Sequence, residues 1–217
     1  GVSIKISALS PKYELLHQTH ITKNLKPKFE ALIEHAFQKN VEVTIDAEEQ
    51  DRLSVSLDLL SDILLNKKYR EWENLGMAVQ AYGKRSLDLI DWIENILKKR
   101  APIHIRLVKG AYWDYEIKQS QIKSHPDYSV YTNKSLTDLS FLHAARKIFE
   151  INKIYPKFAT HNAHTIASIH KMGCGKKYEF QRLFGMGELL YDSAAKVCEE
   201  LPKVSIYAPI GLSLIHI

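Results

Sequence analysis

The segment with the most chemical information runs from Ile105 to Asp114, where an apolar strand pattern ends in cationic, glycine and aromatic residues. The two-residue period of a strand places Arg106 on the face opposite Ile105 and Leu107, where a second buried layer would lie. A buried guanidinium is costly unless an anion meets it. Arg106 therefore indicates either an internal ion pair or an anionic ligand, and we favour the ligand.

Three other segments also combine one apolar face with a polar residue on the second face, near the C-terminal end. The segments are Val2–Ser7, Val41–Asp46 and Gly76–Gln80, and the polar residues are Lys5, Asp46 and Gln80. Half-solvated antiparallel strands show the same pattern. The helical spacing between these strands argues against that alternative, because helices would connect the strands in parallel.

Helical patterns and further strands complete the arrangement. We expect helical structure over Lys12–Asn40 with a break near Pro27, and further helices over Asp51–Leu65, Arg85–Arg100, Asp114–Ser124 with Asp114 as N-cap, Ser135–Asn152, Ala163–Met172 and Asp192–Leu201. Further strands are expected over Phe158–Asn162, Lys177–Gln181 and Val204–Tyr207.

This alternation of strand and helix favours a parallel sheet covered on both faces or a closed (β/α)8 barrel. The barrel explains the inward polar residues better. In a barrel the C-terminal ends of the strands converge, which would bring one set of residues into a single mouth: Lys5, Asp46, Gln80, Arg106 and His161.

The composition is typical of a single globular, enzyme-like domain, with 45% hydrophobic and 25% charged residues among 217. No apolar run approaches the roughly 20 residues of a membrane span. Cys174 and Cys198 lack metal-ligand spacing, which indicates reduced thiols in the cytoplasm. His161 and His164 lie close together without an HExxH motif, so we expect no metal. Dispersed lysines give the net charge of +5, which we interpret as a solvated surface, with contact to an acidic membrane surface as the alternative. We expect no nucleic-acid partner through this domain.

Six segments together resemble proline dehydrogenase, in particular the proline dehydrogenase domain of the bacterial bifunctional proline utilisation A flavoenzymes. They are Val2–Leu9, Thr44–Glu48, Arg106–Asp114, Phe158–Asn162, Phe180–Glu188 and Ile206–Pro209. They occur in the family's order over nearly the whole chain, and Arg106–Asp114 is highly specific. The resemblance implies a distorted (β/α)8 barrel that binds FAD at the strand C-termini and oxidises L-proline to Δ1-pyrroline-5-carboxylate.

The resemblance also implies roles for individual residues. Arg106 would lie near the redox end of the flavin, Lys5 would hold the proline carboxylate, and Asp46 would orient the charged groups. The proline pocket would also include Tyr112, Leu183 and Tyr207. The flavin contacts would be Ala47, Gln80, Arg106, Val108, Lys109, Gly110, Ala111, Tyr112, Thr160, His161 and Asn162. For His161 and Asn162, the alternative is capping of the helix that starts at Ala163.

The C-terminal residues depart from the family's pattern. In the family, a helix with two consecutive arginines that clamp the substrate carboxylate follows, and then the last strand, whereas this sequence has no arginine after Arg182. We therefore expect a barrel domain over 1–211 that lacks its last helix and strand, a non-family tail over 212–217, and a fragment of a longer protein. One alternative is an inactive flavin-binding fragment. Another is a phosphate-binding (β/α)8 lyase or isomerase that uses Lys5 and Arg106 to hold an anion.

The resemblance extends to partners. It implies quinone as the acceptor of electrons from the flavin, and peripheral contact of a cytoplasmic protein with the inner face of the membrane. The sequence itself shows no anchor, and it leaves open whether the parent chain carries an aldehyde dehydrogenase domain.

Overall fold

The computed structural model describes residues 1–198 and 200–208, and its central element is one parallel sheet. The strands are β1 Val2–Ile4, β2 Val43–Ile45, β3 Leu75–Gln80, β4 Ile103–Val108, β5 Ile154–Ala159, β6 Glu179–Leu183 and β7 Val204–Tyr207. Each strand pairs in parallel with the next one along the chain. This order, with helical crossovers, is that of a (β/α)8 barrel. The fold prediction is confirmed for seven strands. The expected absence of the last helix and strand, and the expected tail over 212–217, concern positions outside the described residues.

Helices connect successive strands. The α-helices are α1 Gln18–His20, α2 Lys26–Gln38, α3 Leu53–Leu64, α4 Ser86–Leu97, α5 Trp113–Ile122, α6 Lys134–Glu150, α7 Ala163–Met172 and α8 Glu188–Val197. Short 3₁₀ turns lie at Ile6–Ala8, Leu15–His17 and Lys67–Tyr69, and a π-helical turn spans Ile21–Leu25. Pro27 lies in the first turn of α2, and α2 follows the π-helical turn without a gap. The irregularity expected near Pro27 is therefore a π-helical turn within a helical run from Gln18 to Gln38.

Two strand predictions were displaced along the chain. The strand expected at Phe158–Asn162 is β5, which runs from Ile154 to Ala159. Pro156 and Lys157 interrupt the apolar pattern at its start, so the sequence did not reveal the first residues of the strand. The strand expected at Lys177–Gln181 is β6, which ends two residues later at Leu183.

Two helix predictions also need correction. The helix expected at Asp192–Leu201 is α8, which ends at Val197. Asp114 is not an N-cap, because Tyr112 holds that position in α5 and Asp114 lies in the first turn. A carboxylate there still stabilises the positive end of the helix dipole.

The apolar core lies between the outer face of the sheet and the helices. Alternate residues of β2, β3 and β4 point into it, and the amphipathic helices α2, α3, α4 and α6 supply the facing side chains. The buried apolar strand residues include Val43, Ile45, Leu75, Met77, Val79, Ile103, Ile105, Leu107, Phe158 and Phe180. Burial of this apolar surface, at roughly 25 cal/mol per Å², is the main force that holds the sheet against its helices.

The inner face of the sheet is buried and polar. Thr44, His104, Arg106, Lys157 and Glu179 are each less than a tenth exposed. They satisfy one another: Thr44 Oγ1 and His104 Nε2 share a hydrogen bond of 2.7 Å, and Lys157 Nζ donates to Glu42 Oε1 at 2.7 Å. Internal pairing offsets the desolvation cost of these groups. The inside of the curled sheet is therefore a network of polar side chains.

Candidate active site

The C-terminal ends of the strands surround a cavity of about 540 Å³. Every site residue predicted from the sequence lies in its lining: Lys5, Asp46, Ala47, Gln80, Arg106, Val108, Lys109, Gly110, Ala111, Tyr112, Thr160, His161, Asn162, Leu183 and Tyr207. The structure adds Ala78, Lys134, Ala159, Gln181 and Arg182. The structure thus brings the predicted residues together, while the role of each one stays a prediction.

Arg106 lies in the wall of this cavity with its guanidinium fixed by two neighbours. Nη1 donates to Asp46 Oδ1 at 2.8 Å, and Nε donates to Gln181 Oε1 at 2.7 Å. The guanidinium carbon also lies 4.9 Å from the centre of the Tyr207 ring, in cation–π geometry. The sequence left two alternatives for Arg106, an internal ion pair and an anionic ligand. The structure confirms the internal ion pair. Neither hydrogen bond uses Nη2.

Asp46 connects four strands at the cavity. Besides Arg106, its carboxylate accepts hydrogen bonds from Ser3 Oγ at 3.2 Å and from Tyr207 Oη at 3.5 Å. Its backbone N–H donates to Ile4 O on β1. Burial, and then the negative charge of Asp46, raise the pKa of Tyr207. The phenol therefore stays protonated at neutral pH and keeps its donor.

Lys5 follows β1 directly, at the N-cap of the Ile6–Ala8 turn, and not within the longer strand that the sequence predicted. Its Nζ donates to Tyr112 Oη at 2.6 Å. Partial burial alone lowers the pKa of Lys5, but the bond to Tyr112 and the charges of Asp46 and Glu48 outweigh it and raise the pKa. An ammonium group therefore lies at the same cavity as the Arg106 guanidinium, and two cations suit a carboxylate ligand.

The side chain of Gln80, at the end of β3, holds the segment that follows β4 by a hydrogen bond. The Gln80 Oε1 accepts the Ala111 N–H at 3.1 Å, and its Nε2 donates to the Glu48 carbonyl at 2.8 Å. The Lys109 ammonium is turned outward to Asp138 on α6. Much of the Lys109 charge is therefore neutralised away from the cavity centre.

Gly110 is required by the local geometry. Its φ is +141°, a conformation that side-chain-bearing residues rarely adopt. A Cβ here would lie 2.4 Å from Cγ of the buried Tyr82 ring. Gly110 is therefore required for packing of this segment against Tyr82, and the segment lines the cavity on its other side.

His161 and Asn162 have different partners. The Nε2 of His161 accepts the Leu183 N–H at 3.1 Å, which ties the end of β5 to the end of β6. The Oδ1 of Asn162 accepts the Thr165 N–H at 2.9 Å and is the N-cap of α7. The capping alternative is confirmed for Asn162 and is wrong for His161.

Gln181 was missed as a site residue although it holds Arg106 directly. The available signal was the alternation of Glu179 and Gln181, which puts both polar side chains on one face of β6. Within the part of the chain that the structure describes, no group of three or more His, Cys, Asp or Glu residues could hold a metal ion. No helix of the described residues is long and apolar enough to cross a membrane.

Comparison with known sequences places the whole arrangement in a family. The family described as Proline dehydrogenase matches residues 1–214. The chain belongs to the proline dehydrogenase family. It is 43% identical over 220 residues to the bifunctional protein PutA of Escherichia coli (strain K12), which covers 97% of this chain and 17% of PutA. It is 28% identical to proline dehydrogenase 2 of Bacillus subtilis (strain 168), over 97% of this chain and 60% of that protein.

Solved structures agree with this family assignment. Proline utilization A (PutA) of Bradyrhizobium japonicum superposes with a TM-score of 0.90 at 38% identity, over 96% of this chain and 22% of that one. PutA of Bdellovibrio bacteriovorus, solved after the protein was inactivated by N-propargylglycine, superposes with a TM-score of 0.89 at 28% identity over 97% of this chain. The predicted resemblance to PutA is confirmed. This chain spans 22% of the length of each of these two PutA chains.

Proposed function

We propose that this chain oxidises L-proline to Δ1-pyrroline-5-carboxylate with FAD bound in the cavity at the strand ends. The observation that carries the proposal is Arg106, a buried guanidinium fixed by Asp46 and Gln181 in the wall of that cavity, within a proline dehydrogenase fold. A fixed cation in a site largely shielded from water stabilises negative charge that develops nearby during a reaction.

The residues present fit a flavin. The cavity volume of about 540 Å³ lies within the roughly 300–1,000 Å³ of ligand pockets. Gly110 and Ala111 line the cavity without a bulky side chain, and Arg106 and His161 provide polar groups. We assign the cofactor contacts to Ala47, Gln80, Arg106, Val108, Lys109, Gly110, Ala111, Tyr112, Thr160, His161 and Asn162.

When bound, the flavin would supply the acceptor for the hydride from C5 of proline. The protein's part is to orient the substrate and to place charge. Lys5 holds the proline carboxylate and is itself oriented by Tyr112. Asp46 keeps Arg106 and Tyr207 in place. Together with Leu183, these side chains define the substrate end of the cavity before proline arrives.

We extend the proposal to partners that the family suggests. Quinone would accept the electrons, during peripheral contact of a cytoplasmic protein with the membrane. The barrel domain would occupy residues 1–211, and the family profile extends slightly further, to residue 214. The remaining length of the PutA relatives leaves room for a further catalytic domain, such as an aldehyde dehydrogenase.

Anaerobic addition of L-proline to the flavin-loaded protein tests the proposal. Loss of the oxidised flavin absorbance, with formation of the cyclic imine, is the expected result. Mass spectrometry of the released cofactor separates FAD from FMN. A tightly bound flavin that proline does not reduce would support the inactive flavin-binding alternative. A protein that retains no flavin would instead favour an anion-binding barrel enzyme.

A further inference from the structure

A series of buried polar side chains on the inner face of the sheet continues from Arg106 through Gln181 to Glu179. The Gln181 Nε2 donates to Glu179 Oε1 at 2.9 Å, and the two residues are 8% and 3% exposed. Glu179 itself lies between two ammonium groups: Lys157 Nζ is 3.8 Å from Oε1, and Lys203 Nζ is 3.6 Å from Oε2. A continuous series of contacts therefore joins these lysines, through Glu179 and Gln181, to Arg106.

The direction of each hydrogen bond in this series is fixed by chemistry. The guanidinium of Arg106 can only donate, and the carboxylate of Glu179 can only accept. The amide of Gln181 between them carries one acceptor and one donor group, so a single orientation satisfies both neighbours. The opposite orientation would place the amide NH₂ against the guanidinium and the carbonyl against the carboxylate. Glu179 therefore reinforces the orientation in which the carbonyl of Gln181 faces Arg106.

We propose that Glu179 is a positioning residue for Arg106 and acts through the amide of Gln181. Without an acceptor at position 179, only Arg106 still orients the amide, so the amide turns more easily and its hydrogen bond to the Arg106 Nε opens more often. When that bond is open, Asp46 and the Tyr207 ring are the remaining contacts of the guanidinium described above, and its orientation is less restricted. The importance of this for catalysis rests on the proposed function, whereas the effect on Arg106 itself does not.

Solvent exchange of the Arg106 Nε–H, followed by ¹H–¹⁵N NMR of the purified chain without flavin, measures this effect directly. The resonance is assigned by its disappearance in Arg106→Lys. Glu179→Met removes the acceptor at similar side-chain length and should speed the exchange about tenfold or more, because a hydrogen bond to a charged group contributes about 1.5–3 kcal/mol. Glu42→Met is the matched control. It removes a carboxylate that contacts Lys157 but not Gln181, and exchange should change less than about twofold.

A double variant in which the residue types at positions 179 and 181 are swapped distinguishes positioning of Arg106 from a general loosening of the sheet. In the double variant Glu179→Gln with Gln181→Glu, the amide at 179 donates and the carboxylate at 181 accepts from Arg106. Slow exchange of the Nε–H should return in this variant. Slow exchange that persists in Glu179→Met, or fast exchange in a folded double variant, would overturn the proposal.

The flavin-loaded protein gives the consequence for the reaction. In Glu179→Met, the limiting rate of flavin reduction should fall about tenfold, while the proline concentration at half-maximal rate stays unchanged, because Lys5 is untouched. A rise in that concentration at unchanged rate would overturn a role through Arg106. If proline does not reduce the flavin of the unmodified chain but the exchange results hold, the proposed function fails and the positioning of Arg106 by Glu179 stands.

Discussion

His104 gives a quantitative test of the buried polar interior. It lies on the inner face of β4, two residues before Arg106, and is 3% exposed. Burial, and then the positive charge of Lys157, lower its pKa from 6.5 to about 3. The ring is therefore neutral in the folded protein at pH values where an unfolded histidine is protonated.

The size of the effect follows from proton linkage. Between pH 6.5 and about 3 the unfolded chain binds a proton at His104 that the folded chain does not bind. Stability therefore rises with pH across this window and is lost as the pH falls. At pH 5 the lowered pKa corresponds to a loss of about 2 kcal/mol relative to pH 8, or about thirtyfold in the folding equilibrium.

Urea denaturation at pH 8 and pH 5 measures this loss. His104→Gln removes the titrating group and keeps an acceptor for Thr44. Between pH 8 and pH 5 the free energy of unfolding of this variant should therefore fall by about 2 kcal/mol less than that of the unmodified chain. His143→Gln, at an exposed position on α6, serves as control and should lose as much as the unmodified chain. Equal losses in His104→Gln and the unmodified chain, within about 0.5 kcal/mol, would refute the neutral buried histidine.

Three substitutions test the cavity itself. Arg106→Met should lower the rate of anaerobic flavin reduction by about 10²–10³-fold, because the developing negative charge loses its fixed cation, and stopped-flow absorbance measures it; a near-normal rate would remove this role. Lys5→Met should raise the proline concentration at half-maximal rate by about tenfold or more, since a charge-assisted contact is lost, and steady-state assays that show no rise would take Lys5 out of the carboxylate site. Gly110→Ala should reduce the free energy of unfolding by about 2–4 kcal/mol, because the new Cβ meets Tyr82 at an unfavourable φ. Urea denaturation checks that loss, and unchanged stability would contradict the close approach.

The sequence predicted which residues meet at the strand ends where they follow recognisable strands. The period of two in β3 and β4 places Gln80 and Arg106 on one face, and convergence of parallel strand ends brings them to Asp46. These conclusions need only local patterns and one rule of topology. The capping of α7 by Asn162, which the sequence analysis gave only as the alternative to a flavin contact, also follows from a local pattern because an N-cap precedes its helix directly.

The remaining features depend on contacts between distant residues. In the sequence, the charged residues Lys157 in β5 and Glu179 in β6 look like solvent-exposed positions. They are buried in the structure, where Lys157 pairs with Glu179 and with Glu42. For the same reason Gln181 was not recognised as a partner of Arg106. The outward turn of Lys109 depends on Asp138, which a local pattern cannot reveal.

The division of the sheet into an apolar outer face and a polar inner face has a consequence for how this protein can change. Packing between strands and helices supplies the hydrophobic stabilisation, so it constrains residues such as Ile105 and Leu107. Residues on the inner face are constrained instead by matching donors to acceptors. A paired replacement on that face can therefore alter the chemistry at the mouth while the helices keep their positions. Evolution can revise the reaction and the scaffold almost independently.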